Sequence, residues 1–433
     1  MNKKTVIALV IGCMTQFANA QSLEQAVSQT LQSNPKIKEA YDLYLSRQHQ
    51  IDEAKAGYMP KLDAVAGIGP ERITPAGSDD TSSLTRKDLS LSLRQMLFDG
   101  FDTSSNVHRT DAEAKAQRLS VLSTAENTAL RVAEVYLAML KQEEIYALSK
   151  DNLATHEQIL SDISKRTTSG VGSTADLTQI QGRVAQAYSN MAAAQNNLDD
   201  ARAQFIRVVN SEPENLVQPV PDATTIPANL DEAIKKATSD NPVLLSALQD
   251  IEAANYQHEG AKANYYPKVS IEAGQSWYDD ANGAEGNSDE LSAMLRVRYN
   301  LFNGGADDAR SASTAALASQ AKDIHMNAYR EVEEGTRLAW QARESLKQQK
   351  GYMQQHVESS NQTVKAYKQQ FTLGQRTLLD VLNTENELFE ARKNYIGADY
   401  DELQAQYRIL NATGKLLDSL RVVKPDNWQE QKK

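Results

Sequence analysis

Few residues in this 433-residue chain are placed to do covalent chemistry. The six histidines (His49, His108, His156, His258, His325 and His356) are dispersed, and five lie in helical stretches with polar neighbours. A zincin helix needs a second histidine four residues after the first, but His156-Glu157 is followed by Leu160. The run Gly170-Val171-Gly172-Ser173 lacks a phosphate-cradling lysine and a preceding strand, so it reads as a helix–helix turn. There is no G-x-S-x-G, and a single cysteine, Cys13, excludes disulfide frameworks and multi-cysteine metal or iron–sulfur sites. No cofactor, no metal and no active site are expected. The informative charges flank two glycine-bearing turns. Asp176 lies six residues beyond Gly170 and Asp380 six beyond Gly374, while Arg376 follows the second turn only. An acid early in a helix is favoured by the helix dipole, which is the plain structural reading of both carboxylates.

Composition limits what could position these groups. Formal charge is −11, and removing the first twenty residues leaves 44 basic against 57 acidic residues, or −13. Nucleic acid wants basic stripes, so it is excluded as a partner. Mean hydropathy is −0.55, and no apolar run of about 18 residues follows the N-terminus, which excludes a helical membrane protein. Residues 1–20 read as an export signal: Lys3 and Lys4, an apolar stretch to Met14, then Ala18-Asn19-Ala20 before Gln21. Val10-Ile11-Gly12-Cys13 offers a lipoprotein alternative with an apolar stretch of about eight residues, at the short end of the usual range.

The chain is a duplication. Leu23-Glu24-Gln25-Ala26-Val27, Asn34-Pro35 and the segment around Pro60 recur 207 residues later at Leu230, Asn241-Pro242 and Pro267. Leu97-Phe98-Asp99-Gly100, Gly170 and Asp176 recur at offset 204 as Leu301-Phe302-Asn303-Gly304, Gly374 and Asp380. The repeats are expected at 21–210 and 229–414, separated by a Pro-rich linker at 211–228 and followed by a tail at 415–433. Each holds two short helices, a strand pair (about 61–98 and 268–302) and a long helical hairpin (about 101–210 and 305–413). Residues 101–169 contain neither Gly nor Pro. As one helix they would span roughly 100 Å, too long for a globular domain.

The strands alternate. Arg296, Arg298 and Asn300 interleave with Leu295, Val297, Tyr299 and Leu301, and Ser90, Ser92 and Arg94 with Leu89, Leu91 and Leu93. Such alternation marks a half-buried strand or a barrel strand between lipid and water. The helices are too polar to supply an apolar layer, so the barrel is preferred. Four strands cannot close a membrane barrel; two copies would supply eight and three would supply twelve.

The duplicated plan, the Pro60 and Pro267 helix-to-strand switches, the Leu-Phe-(Asp/Asn)-Gly strand ends and the turn Gly374-x-Arg376-Thr377-x-x-Asp380-Val381-Leu382 resemble the TolC family of bacterial outer-membrane channel-tunnels, over about residues 22–420. The resemblance implies a mainly α fold with a transmembrane β-barrel contribution. It also implies a homotrimer in outer-membrane lipid of a Gram-negative bacterium, with a twelve-stranded barrel and a helical periplasmic tunnel. The linker and tail would join an equatorial region. A periplasmic adaptor and an inner-membrane ABC exporter or proton-driven pump would dock on it, for type I protein secretion or, alternatively, multidrug efflux. Carried over residue by residue, Arg376 and Asp176 would form the gate latch and Asp380 and Asn383 the selectivity ring at the periplasmic entrance. The turns with Gly170, Gly172 and Gly374 would receive the adaptor. Asn383 stands where the family has an acid, Phe371 where it has an aromatic hydroxyl, and Ala175 where it has a hydroxyl residue. These departures imply a less acidic entrance held by fewer hydrogen bonds. A trimeric coiled-coil adhesin and a periplasmic scaffold are the readings from other classes. Strand pairs in both halves disfavour the adhesin, and apolar strand faces disfavour the scaffold.

Overall fold

The computed structural model describes residues 21–74, 76–77, 81–425 and 428; the export signal expected at 1–20 lies outside them. The first repeat forms α1 (Leu23–Ser33), α2 (Pro35–Lys55), β1 (Lys61–Ile73), β2 (Ser82–Phe98), α3 (Asp102–Thr168) and α4 (Thr174–Val209). The second forms α5 (Leu230–Asp240), α6 (Pro242–Ala261), β3 (Lys268–Asp279), β4 (Asn287–Arg298), α7 (Ala306–Thr372) and α8 (Leu378–Ala412), and α9 (Leu416–Ser419) follows. The fold is therefore mainly helical, with four antiparallel strands and duplicated halves.

Local chemistry sets these boundaries. Ser22 and Gln25 close a capping box on α1, and Asn34 ends it in extended backbone ahead of Pro35. In the second repeat Asn241 caps α6 with Pro242 in its first turn. Helices α3 and α7 run 67 residues each, about 100 Å. Alanines at heptad spacing let neighbours approach. Ala187, Ala194 and Ala201 are buried on α4, and Ala391, Ala398 and Ala405, each 204 residues on, are buried on α8.

Two compact units cut across the repeats. One comprises Lys36–Thr124 and Thr238–Val332. Its strands form one sheet in the order β1-β2-β3-β4, so β2 and β3 pair across the duplication. One face carries Leu62, Leu89, Leu91, Leu93, Ile271, Leu291, Leu295 and Val297, and the other Asp63, Ser90, Ser92, Arg94, Glu272 and Arg296. The apolar face is open to the outside, with Leu62, Leu291 and Leu295 at 69, 76 and 66 % exposure. Pro70 lies on the edge strand β1, where its missing N–H interrupts no ladder between central strands. The second strand pair, expected to reach 302, ends at Arg298. There the Asn300 side chain accepts from Phe302 N at 3.2 Å and turns the chain early.

The other unit holds the described residues of Met1–Pro35, Ala125–Ala237 and Glu333–Lys433. Its linker and tail are pinned to α3. The buried Tyr136 hydroxyl lies 2.8 and 2.7 Å from the carbonyls of Gln21 and Val217, which share its one proton, and accepts from Val217 N at 2.9 Å. Glu126 accepts from Leu416 N at 3.0 Å and Leu417 N at 3.4 Å, at the start of α9. Both residues are buried. Desolvation pushes Glu126 up to about 7 and Tyr136 up to about 12.

Candidate functional site: the paired helical turns

The α3–α4 and α7–α8 turns share one hydrogen-bond pattern. Gly170 N donates to Thr167 O, and Gly374 N donates to Phe371 O 204 residues on. Val171 N and Gln375 N bond the carbonyls of Arg166 and Gln370 at 3.0 and 2.8 Å. Gly170 and Gly374 sit at φ +77° and +74°, which L side chains rarely adopt. Both turns lie in the same compact unit and share a core. Leu153, Ile163, Ile180, Val184, Leu378 and Leu382 are buried together, with Leu177 and Phe371 against them.

The two acids differ. Thr377 accepts from Asp380 N, while Asp380 accepts from Thr377 N at 3.2 Å and from the Thr377 hydroxyl at 2.9 Å, a full capping box. The Thr377 bonds, aided by the nearby Arg376 charge, hold the Asp380 carboxyl below its ordinary range. In the first turn Ser173 accepts from Ala175 N at 3.1 Å. Asp176 carries no hydrogen bond or ion pair among the described residues.

Arg376 and Asp176 are not joined within the chain. Arg376 folds back onto the end of α7, where its Nε donates to Gln370 Oε1 at 3.0 Å and its guanidinium lies 4.2 Å from the Tyr367 ring centre. Phe371, expected to stand in the latch without the family's aromatic hydroxyl, packs on the shared core beneath the Arg166 guanidinium, 5.3 Å from its ring centre. The aromatic beside Arg376 is thus one helical turn earlier. Asn383 accepts from Arg183 at 2.7 Å, tying α8 to α4. Lys368 and Glu385 pair between α7 and α8. Sequence reasoning missed Tyr367, Gln370, Arg166 and Arg183. The i, i+4 spacing of Tyr367 and Phe371 was the readable signal, because it stacks both rings on one helix face.

Gly172 explains why only one turn carries the cation. It aligns with Arg376, and a Cβ there would meet Thr167 N at 2.7 Å and Thr167 Oγ1 at 2.8 Å. No side chain fits that position without moving backbone. Both tips also expose an apolar residue, Val171 at 84 % and Leu373 at 71 %.

Among the described residues no group of three or more His, Cys, Asp or Glu side chains could hold a metal ion. Among the same described residues no helix is long and apolar enough to cross a membrane. The family profile of outer membrane efflux proteins matches residues 26–211 and 233–415, one span per repeat. The outer membrane efflux protein BepC of Brucella suis is 25 % identical over 403 residues, covering 93 % of this chain and 87 % of the relative. The alkaline protease secretion protein AprF of Pseudomonas aeruginosa is 23 % identical, covering 89 % of this chain and 83 % of the relative. A crystal structure of CusC, described in terms of folding and transmembrane channel formation, superposes with a TM-score of 0.79 at 17 % identity. It covers 90 % of this chain and 91 % of CusC.

Proposed function

Because the chain belongs to the outer membrane efflux protein family, whose TolC-like members are non-enzymatic outer-membrane channels of Gram-negative bacteria, we propose that three copies close one barrel and form the exit duct of a tripartite export system. The observation that carries this is the sheet. It has one apolar face, one polar face, and outer edges on β1 and β4 without a strand partner among the described residues. An open edge in lipid leaves backbone groups unsatisfied at several kcal/mol each, so edges must close against further copies. Mass photometry in detergent tests this: a trimer is expected, and a folded, membrane-competent monomer would overturn it.

The paired turns serve as the periplasmic gate. Asp176 lacks a partner among the described residues, which leaves it for the Arg376 of a neighbouring copy, and Asp380 and Asn383 line the entrance beside it. Val171 and Leu373, exposed beside Gly170, Gly172 and Gly374, offer an adaptor an apolar contact at each tip. An inner-membrane ABC exporter or proton-driven pump supplies the energy, since the duct itself is passive. The proposed cargo is protein, by type I secretion, a reading supported by the likeness to AprF. The likeness to BepC favours efflux of small molecules as the second reading. Deleting the gene and measuring the secreted proteome beside drug susceptibility separates them: loss of a secreted protein with unchanged susceptibility supports secretion, and the converse supports efflux.

A further inference from the structure

The polar face of the sheet is divided by charge along its length. At the helix end, paired rows place Lys61 beside Arg94, Arg94 beside Glu272, Ser270 beside Arg296 and Lys268 beside Arg298. Five cations therefore share these rows with one carboxylate. Glu272 is engaged by Arg296 and, at 3.7 Å, by Arg94. Lys61, Lys268 and Arg298 have no ion pair among the described residues. At the turn end the sign reverses. Asp63 stands one row beyond Lys61, and toward the turns Glu71, Asp88 and Glu290 face a single cation, Arg86, which bonds Glu71 and Asp88 at 3.0 and 3.1 Å.

A chain of formal charge −11 thus gathers a surplus of cations in one narrow band. The opposite face of the same rows holds Leu62, Leu93, Val269, Ile271, Leu295 and Val297, so on the channel reading the band lies at membrane depth. Ionised groups at that depth persist only where they face a protein interior or water-filled cavity, and they mark ion or substrate paths. Rings of Arg and Lys suit anion and phosphate pores, and low-dielectric walls focus their field.

We propose that this basic band is a binding site for multivalent anions inside the barrel, taking the phosphate or clustered carboxylate groups of passing solutes. The proposal rests on the channel reading, and three copies would close the band into a ring. The test is single-channel recording of the full-length protein in planar bilayers, with inorganic tripolyphosphate or hexaglutamate added on the barrel side. Both probes should interrupt the current, and the half-blocking concentration should rise at least tenfold in the Arg296→Gln/Arg298→Gln variant. Heat-modifiable migration on gels verifies that the variant is folded, and Lys61→Gln/Lys268→Gln provides a second pair should it not be. Block by tripolyphosphate alone would confine the site to phosphates, and block by hexaglutamate alone to carboxylates; either supports it. Absence of block, or equal block in folded variants, overturns the site while leaving the channel intact. A folded protein that gives no conductance overturns the channel reading itself.

Discussion

The two repeats trace one backbone with different side chains. Where strand passes to helix, the first repeat holds Gly100 and Phe101 at φ +74° and +71°, and the second holds Gly304 and Gly305 at +59° and +81°. Phe101 accepts an unusual backbone because its ring packs edge-on against Phe98 and Tyr266, with centroids 5.3 and 5.9 Å away. A Cβ on Gly100 would meet Ala263 O at 2.3 Å, whereas one on Gly304 would meet nothing within 4 Å. At the far end of each hairpin Asn210 and Gly414, again 204 apart, take the same left-handed cap at +62° and +65°. The difference teaches a division of labour. The first repeat is filled where the copies join at the sheet, and the second carries the cation and the fuller cap at the turns.

The comparison is sharpest at the glycines. Gly100→Ala should cost about 2–5 kcal/mol, from left-handed strain plus overpacking against a carbonyl. Gly304→Ala should cost only about 1–2 kcal/mol, from strain alone. Midpoints of trimer dissociation in urea, read by heat-modifiable migration, would expose the inequality; equal losses would erase the distinction.

The exits of the two repeats come next. Tyr136 pins the linker with a hydroxyl that stays neutral to about pH 12, whereas Glu126 pins α9 with a carboxyl raised to about 7. Folded protein keeps the Glu126 proton to near pH 7, while the unfolded chain releases it near 4.5. The folded state therefore binds more protons between those values, and stability falls as pH rises through that window, by at most about 3 kcal/mol. Hydrogen exchange corrected for its intrinsic pH dependence should show Leu416–Ser419 loosening from pH 5 to 8 while residues 215–219 do not. Glu126→Gln should flatten that response.

Caps give a smaller contrast. Thr377→Ala removes a reciprocal box and should cost about 1 kcal/mol, and Ser173→Ala about half that. Amide exchange in the first turns of α8 and α4 reads the two directly, and equal protection losses would contradict the assigned caps.

The smallest energy carries the largest functional signal. The proposed Arg376–Asp176 pair between copies, partly exposed, would be worth about 0–1 kcal/mol per chain. Arg376→Glu should nonetheless raise single-channel conductance and antibiotic entry without unfolding the trimer, and adding Asp176→Arg should restore part of the closure. A single mutant that conducts like the wild type would leave Asp176 as a helix-dipole residue only.

Much of this was legible because periodicity and punctuation act locally. Alternation along 89–94 and 295–298 assigned the sheet faces, although Val65 and Met294 stand on the polar side. Residues 101–169, free of proline and glycine, bracket α3 (Asp102–Thr168), whereas α7 runs through Gly335 and Gly351. The β2–β3 pairing and the stacking of Arg376 on Tyr367 were not legible, since both depend on which elements meet in space. The early end of β4 was hidden for a related reason: Asn300 continues the alternating pattern, yet its side chain bonds the backbone two residues on and competes with the strand ladder.

The β2–β3 seam also dictates an order of events during synthesis. Lys87 and Asp279 meet across it although 192 residues separate them, so the first hairpin is made long before the strand that completes it. Until then β2 offers an unsatisfied ladder beside an apolar face, the combination most prone to pairing with the wrong chain. Such distant contacts also make closure slow, because the loop entropy is lost before any pairing energy is gained. The nascent chain must therefore be kept apart from its neighbours until the second repeat arrives, so that yield depends on holding chaperones and on the rate of translocation as much as on the stability of the finished trimer.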